Sequence, residues 1–485
     1  MKRWLAEIYD KTGLHPLWVT QDGPGEKAAI LFSVLKNSAL DGLTPEQYKI
    51  SQITSLWDGK SAEELIDLDT LLTSALVVYA HDARGGRDPS RKSSAISTSA
   101  LEATALVEAA LSSSDFSQFL ADLLPPHRYY KNLRAALPNY QSMAAAGGWP
   151  AIEVGKSIHP GEEDSRIPEI KKRLQIEGFL QSVTTDPTEN DEAFVQAVIR
   201  FQERHGLAGD GVIGKLTIAA MNVPAQKKVR EIIINLERWR GESHDLGSKY
   251  VLVDIAGFTL EAIADDTVVL EMAVVVGTQQ NKTPLFSDQI QYIETNPFWN
   301  IPASIARNEM LGELRKNPSY LTSNHIRLFN DWSSEAREIN PLSINWKQVS
   351  QKKMGQFKLR QEPGKKNALG SIKFVFPNSY DVYMHDTPAQ TLFQRSSRAF
   401  SHGCIRLEKP VDLAVFLMNN GENGWPMERF QAMIATGKRT IIRLPEPLPI
   451  HITYQTVKSD QNGTLSFHTD IYDRDRQLEQ ILFTE

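Results

Sequence analysis

The chain has 485 residues, 41% of them hydrophobic and 23% charged, a composition typical of a globular protein with about two to four domains. Its 53 Lys and Arg residues against 59 Asp and Glu residues give a net charge of −6, which disfavours a nucleic-acid binder. No apolar run approaches the roughly 20 residues that span a bilayer, and the single cysteine excludes an intrachain disulfide.

Residues 1–150 have the pattern of a helical scaffold domain. Thr44 and Gln47 are spaced as the two partners of a capping box at a helix start. Residues 62–83 form a long stretch of apolar residues with helical period, and the Ser-rich segment 90–100 predicts a loop. We find no group of catalytic side chains here, so we interpret this region as structural.

Residues 160–224 predict a small module of three helices, followed by a linker helix at 225–248. Apolar residues recur at helical spacing in two segments: Ile167, Ile170 and Leu174, then Phe194, Val198 and Phe201. The sequence FQERHGLAGDGVIGKLT (201–217) resembles the third-helix region of the peptidoglycan-binding module found in many cell-wall enzymes. The resemblance implies binding to peptidoglycan, and a purely architectural role stays open.

Residues 249–485 predict a mainly β domain. Val- and Ile-rich segments at 250–258 and 267–277 indicate a hairpin, and Asn-Gly at 462–463 indicates another. Between the strands lies an insertion at about 303–369, which we expect to be helical and irregular. Insertions of this length in compact domains are usually functional, so we predict a lid. The expected fold class is multidomain α+β.

A strand near residue 385 places two side chains on one face. Because strand side chains alternate, Val382 and Met384 face one way, whereas Tyr383 and His385 face the other. His385 therefore ends a strand with its ring in a defined direction.

The chain's one cysteine lies in the sequence SHGC at 401–404. A catalytic cysteine needs a base or cation, room for a carbonyl, and donors for the oxyanion. Gly403 allows close approach of a substrate, and the N–H groups of His402, Gly403 and Cys404 are candidate oxyanion donors. His385 is a candidate base. Arg395, Arg398 and Arg406 add positive charge.

Two other interpretations of Cys404 are weaker. A lone cysteine is usually a small buried hydrophobe, but the flanking glycine, histidine and arginines argue against that here. A zinc site would use His385, His402 and Cys404, yet the single residue between His402 and Cys404 is poor ligand spacing. We therefore expect no metal.

The segment MHDTPAQTLFQRSSRAFSHGCIRL resembles the signature of the L,D-transpeptidases, the cysteine enzymes that remodel bacterial peptidoglycan. Residues 386–401 separate its two histidines, as in that family. The order of scaffold, wall-binding module and catalytic domain with an insertion resembles the large periplasmic members. The resemblance covers most of the chain, and most specifically 167–223 and 250–445.

The resemblance implies roles for individual residues. Cys404 is the nucleophile and His385 the base, its ring oriented by the following peptide oxygen, while the N–H groups of 402–404 form the oxyanion hole. His402 stays an alternative base. The remaining expected site residues line or shape the site: Ser401, Arg406, Tyr383, Trp299 and Asp386. Asp386 replaces a glycine common in the family and either supports His385 or caps a turn.

The implied reaction needs no cofactor. Cys404 attacks the amide between diaminopimelate and D-Ala of a donor tetrapeptide, D-Ala leaves, and an amine of an acceptor stem resolves the thioester into a 3→3 cross-link. The basic segment 357–373 either binds substrate carboxylates or is merely solvated. An L,D-carboxypeptidase, an enzyme that anchors proteins to the wall, and a non-catalytic wall-binding protein are the alternatives.

Location and inhibition follow from the same resemblance. The N-terminus carries Glu7, Asp10 and Lys11 where a signal peptide would be apolar. Since peptidoglycan lies outside the cytoplasmic membrane, we expect a periplasmic protein whose signal is absent from this chain. The family also implies inactivation by carbapenems through acylation of Cys404.

Overall fold

The computed structural model describes residues 3–87, 100–181, 188–333, 335–419 and 424–483. Its internal contacts form two compact units, Met1–Asp245 with Gln455–Glu485, and Leu246–Tyr454. The fold is multidomain α+β, as predicted. Residues 90–99 of the predicted Ser-rich loop lie outside the described residues.

Up to residue 145, the described part of the first unit is mainly helical. Its elements are α1 (Arg3–Lys11), β1 (Val19–Thr20), β2 (Gly23–Pro24), α2 (Glu26–Lys36), α3 (Ile50–Leu56), α4 (Ala62–Gly85), α5 (Ala100–Ser112), α6 (Phe116–Ala121) and α7 (Arg128–Ala145). The predicted capping box at Thr44 is wrong, because Thr44 makes no side-chain cap and only a short 3-10 turn follows. The capping box lies instead at Ser61 and Glu64, where α4 begins.

The predicted three-helix module is present. It consists of α8 (Ile167–Ile176), α9 (Glu192–Arg204) and α10 (Lys215–Met221). The apolar residues expected to share a face are buried in one cluster. The side chain of Asp191 caps α9 by accepting the N–H of Phe194, and the buried Gln202 side chain bonds Asp210, Val212 and Thr217.

The predicted linker helix is a buried element of the first unit. This helix, α11 (Ala225–Arg240), packs against α7. Several of its charged residues are buried, namely Lys228, Glu237, Arg238 and Arg240. Glu237 is 1% exposed, and its carboxylate lies 2.6 Å from Arg240, which is fully buried. Ion pairing inside the unit therefore replaces the solvent contacts expected of a linker.

The second unit is built on a nine-stranded sheet. Its strands are β3 (Lys249–Asp254), β4 (Thr259–Ala264), β5 (Thr267–Gly277), β6 (Phe286–Thr295), β11 (Ile372–Val375), β12 (Met384–His385), β13 (Ala399–Ser401), β14 (Ile405–Leu407) and β15 (Thr440–Thr453). The order is β13-β5-β14-β12-β11-β6-β15-β3-β4, and a further pairing of β4 with β5 closes the sheet on itself. The predicted hairpin is instead a three-stranded meander, with a tight turn at Asp265 and Asp266.

The insertion is more regular than predicted. It contains a second sheet, in the order β7-β10-β8-β9, and its own hydrophobic core. Its elements are β7 (Trp299–Ile301), α12 (Ala303–Ile305), α13 (Leu311–Lys316), α14 (Tyr320–Ser323), β8 (Ile326–Phe329), β9 (Glu338–Ile339), α15 (Gln351–Met354) and β10 (Lys358–Gln361). A π-helical turn, Ala306–Met310, joins α12 to α13. A segment with its own core can act as one body.

The remaining helices of the second unit are α16 (Pro410–Met418) and α17 (Met427–Ala435). The chain then returns to the first unit with β16 (Val457–Ser459), β17 (Leu465–Phe467) and α18 (Arg474–Phe483). The hairpin predicted at Asn462-Gly463 is present as the β16–β17 pair. The expected catalytic segment reached residue 485, whereas Gln455–Glu485 belongs to the first unit.

Candidate active site

A parallel pair of short strands brings the two halves of the signature together. Met384 of β12 pairs with Ile405 of β14, and His385 pairs with Arg406. The N–H of Ile405 donates to the carbonyl of Tyr383 at 3.1 Å. Because Cys404 directly precedes β14, this register sets it beside Tyr383, at the end of the strand that carries His385.

The sulfur of Cys404 lies beside Tyr383. The hydroxyl and the backbone N–H of Tyr383 are two donors whose interaction with this sulfur lowers the pKa of the thiol. Burial raises the pKa of the thiol, while those two donors and the charges of Lys373 and Arg406 lower it, with burial the larger effect. Cys404 therefore rests as a thiol that needs a base to become a nucleophile.

His385 is buried and locked as one tautomer. Its Nδ1 lies 2.5 Å from the carbonyl oxygen of Asp386, which can only accept, so Nδ1 carries the proton and Nε2 is free to act as a base. This is the orienting peptide oxygen that the sequence predicted. Burial lowers the pKa of His385 to about 3, with further lowering by Arg406 and Lys373. The ring is neutral in the resting site.

The loop that carries Cys404 is shaped by Ser401. Its Oγ accepts the N–H of Gly403 at 3.1 Å and donates to the carbonyl of Cys404 at 2.5 Å. The N–H of Gly403 is thus already used, which corrects the prediction that residues 402–404 all supply oxyanion donors. In the described part of the chain, no acceptor bonds the N–H of His402 or of Cys404. Those two donors stay available.

The side chain of Thr283 holds this loop from outside. The buried hydroxyl of Thr283 donates to the carbonyl of Gly403 at 2.9 Å and accepts the N–H of Gly277. Gly403 itself has φ +116°, a backbone conformation that residues other than glycine rarely adopt. Thr283 could not be identified from the sequence, because its contact with the loop is non-local.

Asp386 caps a turn and does not reach the ring of His385. Its carboxylate accepts the N–H and the hydroxyl of Ser371, both at 2.8 Å, and the N–H of Thr387 at 2.7 Å. It also fills the space above Gly370, where a Cβ would meet it at 2.3 Å. Of the two predicted roles, the geometry favours the turn, and the expectation that Asp386 contacts substrate gains no support.

His402 points toward the insertion. Its Nε2 lies 2.6 Å from Oε1 of Glu309, and both side chains are about half exposed. Since this ring is engaged by a carboxylate of the π-helical turn, His385 is the better candidate for the base. The sequence alone could not identify Glu309, because nothing in its surroundings marks it.

Trp299 and Lys373 complete the surroundings of Tyr383. The side chain of Trp299 interacts with that of Tyr383 and lowers the pKa of the Tyr383 hydroxyl, which burial raises. The lining role expected of Trp299 stays a prediction. The ammonium of Lys373 lies 3.9 Å from the centre of the Tyr383 ring, and the rings of Tyr383 and His385 are 5.7 Å apart. From the sequence, Lys373 was predicted only as one cation of the basic segment 357–373.

The other predicted cations serve different purposes. Arg398 donates to the backbone carbonyls of Val274, Phe258 and Arg395. Its guanidinium therefore holds strands together and is not free for substrate. Arg395 lies over the ring of Phe400.

Other features of the described residues lie outside this site. A cavity of about 930 Å³ in the insertion is lined by residues of β8, β9 and 362–366, none of them a site residue named above. Within the described ranges, no three His, Cys, Asp or Glu side chains are arranged to hold a metal ion. Every described helix is too short or too polar to cross a bilayer.

Three protein-family models match the chain. A "Scaffold domain" matches residues 3–137, a "Putative peptidoglycan binding domain" matches 163–221, and an "L,D-transpeptidase catalytic domain" matches 248–442. The third match contains the whole site described above.

One relative agrees with the catalytic match. A "Putative L,D-transpeptidase" of Haemophilus influenzae is 30% identical over 279 residues, which is 56% of this chain and 54% of the relative. The chain thus spans about half the length of that relative. Among solved structures, an L,D-transpeptidase from Xylanimonas cellulosilytica is 14% identical and covers 62% of this chain and 98% of its own, with a TM-score of 0.20. One from Mycobacterium smegmatis is 12% identical and covers 42% and 58%, also with a TM-score of 0.20. TM-scores this low support no conclusion about the fold.

Proposed function

We propose that this chain, whose residues 248–442 match the model of an L,D-transpeptidase catalytic domain, is a cysteine transpeptidase that forms 3→3 cross-links between peptidoglycan stem peptides. One observation carries the proposal. The sulfur of Cys404 lies beside Tyr383, which directly precedes the strand that carries a neutral, tautomer-locked His385. Nucleophile, base and ring-orienting carbonyl are therefore all present.

In the first step, the sulfur of Cys404 attacks the carbonyl carbon of the amide between diaminopimelate and D-Ala in a donor tetrapeptide. The thiol proton moves to Nε2 of His385, since Nδ1 is bonded to Asp386. The oxyanion that forms accepts hydrogen bonds from the free N–H groups of His402 and Cys404. The hydroxyl of Tyr383 is a further donor near Cys404.

Collapse of this intermediate breaks the amide bond. His385 returns the proton to the leaving nitrogen, D-Ala departs with its amine, and a thioester remains on Cys404. The side-chain amine of diaminopimelate in a second stem then attacks the thioester. His385 takes the proton of that amine and gives it to the sulfur, so Cys404 is restored as a thiol.

The insertion is well placed to act as a lid during the second step. Its Glu309 contacts His402, which lies two residues before Cys404. A lid that excludes water protects a thioester from hydrolysis. Deletion of residues 303–369 is expected to raise hydrolysis relative to transfer.

The other functional assignments depend on the same proposal. Residues 163–221 match a peptidoglycan-binding model, so we expect this module to hold the enzyme on its polymeric substrate. The working location is then the periplasm, where that polymer lies. Carbapenems are expected to acylate Cys404, because they present a strained amide to the same nucleophile.

The products distinguish this function from its alternatives. Wild type and Cys404→Ala are incubated with a disaccharide-tetrapeptide and analysed by mass spectrometry. A dimer lighter than two monomers by one D-Ala, formed by wild type alone, supports the transpeptidase. Tripeptide without dimer indicates an L,D-carboxypeptidase, and products that persist in Cys404→Ala contradict the assigned nucleophile.

A further inference from the structure

Charged residues form a row across the face of the sheet that carries His385. In β11, Lys373 is paired with His385 of β12 on one side and with Glu294 of β6 on the other. In β14, Arg406 is paired with His385 from the opposite side. Paired residues of neighbouring strands share a face, so Lys373 and Arg406 flank the candidate base.

Lys373 has no ionic partner among the described residues. No carboxylate lies within 4.0 Å of its ammonium, which rests on the ring of Tyr383. The nearest candidate in the row, Glu294, is paired with Arg439. Burial lowers the pKa of Lys373, while Glu294 and Cys404 raise it. A half-buried ammonium without a counterion is costly, and an anionic ligand would relieve that cost.

Arg406 is similarly unpaired. Its Nε is buried and meets no hydrogen-bond acceptor in the part of the chain that is described, and no carboxylate pairs with the guanidinium. A buried guanidinium donor without an acceptor is uncommon in folded proteins. Two unpaired cations on either side of one histidine form a natural site for a carboxylate.

The chemistry of the leaving group identifies that carboxylate. His385 protonates the nitrogen of the departing D-Ala, and the carboxylate carbon of this residue is only roughly 2.5 Å from that nitrogen. We propose that Lys373 and Arg406 bind the C-terminal carboxylate of the donor peptide and thereby set the leaving nitrogen beside His385. The inference rests on the proposed function. It adds that Lys373 and Arg406 select donor peptides with a free C-terminal carboxylate.

Binding of this carboxylate would also prepare the base. Lys373 and Arg406 both lower the pKa of His385 in the empty site. A bound anion offsets their charge, so His385 accepts the thiol proton more readily when a donor is present. Without donor, Cys404 keeps its proton and is protected from side reactions.

The test measures binding without turnover. Cys404→Ala protein is titrated by calorimetry with an acetylated tetrapeptide ending in D-Ala and with the same peptide as a C-terminal carboxamide. The acid is expected to bind about tenfold or more tightly than the amide, as is typical of charge-assisted hydrogen bonds. Adding Lys373→Met or Arg406→Met should bring this ratio toward one.

Two further variants separate a ligand contact from a folding defect. Lys373→Arg keeps the charge and should retain the preference for the acid. Lys438→Met removes an exposed lysine of the same unit and should leave the ratio unchanged. Melting temperatures of all variants verify that they are folded.

Several results would overturn the inference. These are an equal affinity for acid and amide, a preference that survives both methionine substitutions, or no binding of either peptide. The proposed function is judged separately by the products of wild type. Dimer without acid selectivity rejects the carboxylate site alone, while acid selectivity without dimer rejects the transpeptidase and retains the site.

Discussion

The carboxylate of Glu309 lies 2.6 Å from Nε2 of His402, so a residue of the insertion touches the loop that carries Cys404. Glu309 belongs to the π-helical turn Ala306–Met310, and such turns are frequent at functional sites. This contact offers a physical link between the position of the insertion and the geometry around the nucleophile.

Replacing Glu309 with Ala is expected to loosen the insertion without unfolding it. A half-exposed contact of this kind contributes about 1 kcal/mol or less, so the ratio of closed to open insertion should fall by at most roughly fivefold. The ratio of tripeptide to dimer among the products should rise. Glu313→Ala removes an exposed carboxylate paired with Lys316 in the same insertion and serves as the control. An equal product ratio in both variants would contradict the lid.

Ser401→Ala is expected to lower the rate of acylation by about tenfold or more. The substitution frees the N–H of Gly403 and the carbonyl of Cys404, so the loop loses the two bonds that set its oxyanion donors. Ser401→Thr keeps the hydroxyl and should retain most of the activity. Stopped-flow acylation by a carbapenem measures the rate. Equal rates in the Ala and Thr variants would show that the hydroxyl has no such role.

The burial of neutral His385 predicts a pH dependence of stability. Its pKa is about 3 when folded against 6.5 when unfolded, so the unfolded chain binds the proton in between. This stabilisation is complete above pH 6.5 and is lost as the pH falls toward 3, at about 1.4 kcal/mol per pH unit. Urea unfolding at pH 7 and pH 5 should therefore show about 2 kcal/mol more loss in wild type than in His385→Asn. The same loss in both would contradict a buried neutral ring.

Glu237→Ala is expected to destabilise the first unit by about 3–5 kcal/mol, because it leaves the buried guanidinium of Arg240 without its counterion. Glu479→Ala breaks an exposed pair with Arg230 and should cost about 1 kcal/mol or less. Chemical denaturation measures both. A small effect of Glu237→Ala would contradict a stabilising role for this buried ion pair.

The core of the candidate site could be predicted because its residues are local in sequence. Ser401, Gly403 and Cys404 are nearly contiguous, and strand alternation places Tyr383 and His385 on one face. The carbonyl that orients His385 belongs to the next residue. These relations depend on backbone geometry alone, which a short motif determines.

The missed features depend on contacts between distant segments. Lys373 meets His385 only through strand register, and Thr283 meets Gly403 across two loops. The sequence of α11 indicated a linker because it is rich in charged residues. Several of these are buried, and ion pairs such as Glu237 with Arg240 offset the cost of their burial. The sheet of the insertion was missed because its strands are short and lie among polar residues.

The central claim is that Cys404 carries the acyl group, and intact-protein mass spectrometry tests it most directly. Wild type is mixed briefly with a donor tetrapeptide and quenched in acid. The account predicts an added mass equal to the peptide less one D-Ala, located on Cys404 and released by hydroxylamine, with none on Cys404→Ala. An adduct that persists in Cys404→Ala, or dimer formation without any adduct under rapid quenching, would contradict it.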